Sequence, residues 1–128
     1  MPHILLVSDT ADAFQTLAAT LKKEHQVAVQ WVPNASAGLE RLAGDSPDLV
    51  IVDESIGGIS GLEWIRKAMA VNAFVPTAVV NGLPDDAFHE ASEGLGILLR
   101  LPPSPGREDA RRLMAALDRL SGTVPSGN

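Results

Sequence analysis

Pro47-Asp48-Leu49-Val50-Ile51-Val52-Asp53-Glu54-Ser55-Ile56-Gly57-Gly58-Ile59-Ser60-Gly61-Leu62 is the stretch that decides the fold of this chain. Leu49 to Val52 is continuously apolar, the pattern of a strand covered on both faces in a parallel sheet, and it ends abruptly in two carboxylates. Gly57 and Gly58 mark a turn. A helix over Ser60 to Val71 follows, with Leu62, Ile65 and Met69 on one side and Trp64 beside them.

The same unit recurs on either side. Ile4 to Val7 is a second doubly covered strand, closed by Ser8-Asp9-Thr10 and followed by a helix over Ala11 to Glu24. In that helix Phe14, Leu17, Ala18 and Leu21 recur at helical spacing, with Asp9 or Thr10 available as the cap. Val27 to Val32 reads as a strand, and Ser36 to Ala43 as a helix stopped by Gly44 and Pro47. Downstream come a strand over Pro76 to Val80, a short helix over Asp85 to Glu93, a strand over Ile97 to Leu101 and a helix over Ser104 to Leu120. Five strand-helix units in strict alternation predict an open α/β sandwich, a parallel five-stranded sheet with right-handed crossovers and helices on both faces. Residues 1–121 are expected to form this domain, and the small, polar segment 122–128 a flexible tail or the start of a linker.

Composition narrows the function. The 128 residues are 45% hydrophobic and 20% charged, enough for one globular core without disulfides or a structural metal. Zero cysteines exclude thiolate chemistry, zinc ribbons and iron–sulfur sites. A formal charge of −6 gives no footprint for nucleic acid or an anionic membrane surface. Asp9, Lys22, Asp48, Glu63 and Asp85 interrupt every apolar stretch before it reaches membrane-spanning length, and no secretory pattern opens the chain, so a soluble, cytoplasmic protein is expected. His3, His25 and His89 share no ligand spacing and read as surface residues.

In an open parallel sheet ligands bind beyond the carboxyl ends of the strands. Asp9 and Asp53 should therefore converge from adjacent strands on one crevice, where a cation, a hydrogen-bond donor or a proton must neutralise them. Magnesium, held by one or two carboxylates plus phosphate oxygens, suits that inventory. Each Asp taken singly also has a plain structural explanation, Asp9 as a helix cap and Asp53 as the opening of a turn.

The loop that follows Asp53 weighs against the plain explanation. It resembles the phosphorylation-site loop of two-component response-regulator receiver domains, with an apolar residue at plus three, a turn at plus four and plus five, an apolar residue at plus six, then a small polar residue and Gly. The resemblance extends over residues 3 to 120 and includes the acid after strand one and the Gly-strand-Pro pattern from Gly94 to Pro102. It implies a flavodoxin-like (βα)5 sheet with strand order 2-1-3-4-5. It also implies Asp53 as phosphoacceptor, Mg2+ held by Asp9, Asp53 and the Ser55 carbonyl, and Asn81 at the switch Ser/Thr position. A signalling domain rather than a conventional enzyme follows, as do a histidine kinase or phosphotransfer protein as partner and docking of an output domain or a second receiver at helices four and five.

The departures are as specific as the matches. Ser8 stands where the family has the first acid of its pair, Leu101 where it has a phosphoryl-binding Lys, and Leu98 where it often has an aromatic switch residue. Arg100 is adjacent to the Lys position, but alternation along a strand should aim it elsewhere. Two readings follow: a receiver that accepts phosphate on Asp53 and signals onward, or a degenerate pseudo-receiver that binds partners regardless of phosphorylation. A nucleotide- or flavin-binding enzyme on the same topology is opposed by Asp9 and Asp12, which would repel a phosphate at the first turn. Trp31 and Trp64 read as packing residues, with a partly exposed Trp able to anchor a partner, and the arginines 107, 111, 112 and 119 as a solvated helix face.

Overall fold

The computed structural model describes residues 2–122; of the tail expected over 122–128, Gly122 ends the last helix and the rest lies outside the described residues. The elements in chain order are β1 (His3–Val7), α1 (Gln15–Glu24), β2 (Ala28–Val32), α2 (Ala35–Gly44), β3 (Leu49–Val52), β4 (Ser55–Ile56), β5 (Ile59–Ser60), α3 (Gly61–Val71), β6 (Thr77–Val80), α4 (Asp85–Ala91), β7 (Leu99–Leu101) and α5 (Arg107–Gly122). The main sheet is parallel with order β2-β1-β3-β6-β7, the 2-1-3-4-5 order of a flavodoxin-like fold. β4 and β5 form a small antiparallel hairpin inside the loop after β3, closed by Gly57 and Gly58 at φ 56° and 93°, a left-handed region that favours glycine.

Strand alternation sorts the apolar residues into two layers. Ile4, Leu6, Leu49, Ile51, Ala78, Val80 and Leu101 pack with Phe14, Leu17 and Leu21, and with Ala110 and Leu113 of α5. Leu5, Val7, Val50, Val52 and Val79 pack on the other face with Leu42 of α2 and with Leu62, Trp64, Ile65 and Ala68 of α3. Trp64 is fully buried, and its Nε1–H donates to the Ala35 carbonyl at 3.0 Å, so it is a packing residue as expected. β3, buried at every position, is the spine that both layers share.

Several boundaries differ from the sequence expectation. The helix expected from Ala11 opens as a 3₁₀ turn over Ala11–Phe14, with Ala13 N–H bonded to the Thr10 carbonyl, and becomes α-helical only at Gln15. Thr10 makes no side-chain cap because its hydroxyl is used elsewhere. β6 begins at Thr77, after Pro76, which has no N–H to give the ladder although its carbonyl accepts the Val50 N–H at 3.0 Å, and β7 begins at Leu99, although the Leu98 N–H already donates to the Thr77 carbonyl at 2.8 Å. α5 starts at Arg107 rather than Ser104, because Ser104 is held in the left-handed region at φ 52° and the first helical bond runs from the Ala110 N–H to the Gly106 carbonyl at 3.2 Å.

Candidate functional site

Asp53 leaves the sheet one residue beyond the Val7–Val52 pair, and its N–H is held by the Val7 carbonyl at 3.0 Å. Extending the register by that one residue sets Ser8, Asp53, Val80 and Leu101 in a row across β1, β3, β6 and β7. Neighbours in such a row project to the same face, so the row forms the floor from which the Asp53 carboxylate rises.

The carboxylate is half-buried and engaged on both oxygens. Oδ2 accepts from Ser8 Oγ at 2.7 Å and from Thr10 Oγ1 at 2.8 Å, and Oδ1 accepts from the Glu54 N–H at 2.7 Å. Ser8 is fully buried, and its hydroxyl oxygen accepts the Thr10 N–H at 2.9 Å. An amide only donates and an ionised carboxylate only accepts, so the single Ser8 proton must lie on the Asp53 side. On the other flank, the Ser8 carbonyl accepts the Trp31 Nε1–H at 2.8 Å.

The neighbouring acids are tied to loops. Asp9 Oδ2 accepts the Gly57 N–H at 2.9 Å, linking the β1 loop to the hairpin, and Glu54 Oε2 accepts the Gly82 N–H at 2.9 Å, linking the β3 loop to the one after β6. Asn81 closes its own Asx turn onto the Leu83 N–H at 2.9 Å. Ser55 is exposed at the start of the hairpin. Gly61 makes the loop possible. A Cβ there would sit 2.3 Å from the Asp53 carbonyl oxygen and 2.9 Å from Val79 Cγ2, so only glycine lets α3 start this close to the Asp53 backbone.

Leu101 is 1% exposed in the first apolar layer, and Leu98 packs against the same layer. Arg100 lies on the opposite face, as alternation predicts, and binds the Leu83 carbonyl at 2.8 Å, pairs with Asp85 and stacks 4.5 Å from the Phe88 ring. Among the described residues no Lys or Arg side chain bonds Asp53, and no three His, Asp or Glu side chains converge as metal ligands. A magnesium ion wants anionic or carbonyl oxygens in an octahedral array. Here hydroxyl protons already point at Asp53 Oδ2, and Ser8 supplies no charge, so this donor set does not fit a resident hard cation.

Thr10, Glu54 and Trp31 join the site without having been singled out for it in the sequence. For Thr10 a signal existed: it lies two residues after Ser8, and alternate residues of an extended segment share a face.

The family description "Response regulator receiver domain" matches residues 4–95, more than half of the chain. The chain belongs to this receiver family. A protein-glutamate methylesterase/protein-glutamine glutaminase of Rhodopseudomonas palustris is 26% identical to this receiver domain over 97% of the chain, but over only 34% of its own length. The sensor histidine kinase TmoS of Ectopseudomonas mendocina is 30% identical over 66% of the chain and 9% of its own length. This receiver domain therefore spans about a third or less of the curated relatives it matches. Among solved structures, a CheY-like receiver domain from Methanospirillum hungatei superposes with TM-score 0.81 at 18% identity, covering 96% of this chain and 98% of that one. A two-component response regulator from Clostridium difficile superposes with TM-score 0.79 at 17% identity, covering 94% and 98%. Receiver domains belong to two-component signalling and are not conventional enzymes; the methylesterase relatives match only over their receiver part. Among the described residues no helix is long and apolar enough to cross a membrane.

Proposed function

We propose that this receiver domain serves two-component signalling as a protein-docking module that its partner reads with Asp53 unphosphorylated, in the cytoplasm. The observation that carries this reading is the state of Asp53: its two oxygens are engaged by Ser8, Thr10 and the Glu54 N–H, and the row it stands in ends in Val80 and Leu101 rather than in a cation. Phosphoryl transfer is catalysed by positioning and by charge stabilisation of the equatorial oxygens. A phosphoryl group on Asp53 would add negative charge beside Asp9 and Glu54 with, among the described residues, no basic side chain bonded to the site. The partner is a histidine kinase or phosphotransfer protein, or an output domain or second receiver, docking at α4 and α5.

Asp53→Asn decides between this reading and the phosphoacceptor reading, in which Asp53 accepts phosphate with Mg2+ held by Asp9, Asp53 and the Ser55 carbonyl and Asn81 contacts the phosphoryl group. That second reading is favoured by the partial exposure of Asp53 and by the loop spacing. The docking reading expects acetyl phosphate with MgCl2 to add no phosphoryl mass to the wild type, and the variant to bind the co-purified partner as the wild type does. Stoichiometric labelling that Asp53→Asn abolishes would reverse the choice.

A further inference from the structure

We infer that Ser8 and Thr10 take the place of the divalent cation in this receiver pocket: their hydroxyl protons neutralise Asp53, the pocket excludes Mg2+, and Ser8 is the residue that decides it. The inference deepens the docking reading and rests on the same pocket. Every carboxylate there is already met by a protein donor, Asp9 by the Gly57 N–H, Glu54 by the Gly82 N–H, and Asp53 by two hydroxyls and the Glu54 N–H. An arriving cation would find no carboxylate without a donor.

It would also have to undo a locked arrangement. Ser8 is fully buried and its Oγ accepts the Thr10 N–H, so swinging the side chain away from Asp53 also breaks that bond; Thr10 Oγ1, 3.4 Å away, is its other hydroxyl contact. Thr10 is the exposed half of the pair and closes the same oxygen from the solvent side. Two O–H dipoles converging on Asp53 Oδ2 occupy its lone pairs, so a metal ion at that oxygen would have to displace them. They stabilise the carboxylate through short charge-assisted hydrogen bonds instead.

The test is a titration of the full chain with MnCl2, read by paramagnetic broadening of amide resonances and repeated with MgCl2 by calorimetry. Wild type is expected to show no selective broadening at residues 8, 9, 53 and 55 at millimolar metal. Ser8→Asp, which removes one donor and adds a ligand charge, is expected to broaden those amides selectively, with affinity rising on the order of 10–100-fold. Because an acid at a buried position can unfold the domain, the pair Ser8→Ala with Thr10→Val is a second probe: it removes both protons, adds no charge and is expected to take up Mn2+ more weakly. Saturable, site-selective binding by the wild type would overturn the inference. Uptake by Ser8→Asp without uptake by the double variant would overturn the role of the hydroxyls. No phosphoryl donor is present in this titration, so labelling of wild-type Asp53 without divalent metal would sink the docking reading and leave this inference standing.

Discussion

Gly61→Ala tests the tightest approach in the molecule. The new methyl would lie 2.3 Å from the Asp53 carbonyl oxygen, far inside contact distance, and 2.9 Å from Val79 Cγ2. The first obstacle is backbone, pinned by the bond from the Asp53 N–H to Val7 and by the 2.8 Å bond from the Gly61 N–H to the Glu54 carbonyl. Overpacking costs about 1–3 kcal/mol, and a rigid obstacle puts this case toward the upper end even after the better helix propensity of alanine is counted. A loss of about 2 kcal/mol should lower Tm by about 7 °C in a chain of 128 residues. Thermal melts by circular dichroism measure it, with Gly44→Ala as the control, because a Cβ there meets nothing within 4 Å. The variant should also shift amide resonances from Asp53 to Ser60 while leaving α5 unmoved. A Gly61→Ala melt within about 2 °C of both wild type and control would refute the reasoning, since a drop of about 7 °C is expected.

Ser8→Ala should cost about 2–3 kcal/mol, because it strips a buried donor from a charged acceptor and leaves the Thr10 N–H unpaired; the cost should shrink in an Asp53→Ala background, and chemical denaturation of the four-member cycle reads the coupling. Arg100→Ala removes the ties to Leu83, Asp85 and Phe88, so hydrogen exchange over residues 83–91 should accelerate while global stability falls by no more than about 1 kcal/mol. Unchanged protection there would show that α4 is held by other contacts. The Arg111 guanidinium, which donates to Glu108, holds that carboxyl below its ordinary value of 4.5. A depressed acid stabilises the fold above its unfolded pKa and loses that contribution as pH falls through the folded one, so the melting difference between wild type and Glu108→Gln should shrink as the pH falls below 4.5 and also at high salt.

The strands were most legible where burial is two-sided. Leu49 to Val52 coincides with β3 and Ile4 to Val7 falls within β1, which adds only His3, whereas the runs opening at Pro76 and Ile97 include apolar residues that precede the ladder. The position of Arg100 followed from alternation alone. The partner of Thr10 did not, because a hydroxyl that can cap a helix can equally serve a carboxylate, and only the pairing of β1 with β3 brings Asp53 within its reach. The Glu54 to Gly82 bond spans 28 residues between two loops, a distance over which no local pattern operates. Neutralisation of the crevice by a cation, a donor or a proton left three outcomes open in the sequence; the hydrogen bonds at Asp53 are of the second kind.

The two indoles of this chain have opposite settings. Trp64 is sealed from solvent, while Trp31 is 48% exposed and fastened to the main chain of the residue whose hydroxyl holds Asp53. The domain thus carries an intrinsic optical gauge beside its pocket: whatever displaces the Ser8 main chain moves the hydrogen-bond partner of the Trp31 indole, while Trp64 sits buried in the layer on the other face of the sheet. Partner capture, loop rearrangement or repair of the pocket by substitution can each be followed in real time on the unlabelled protein.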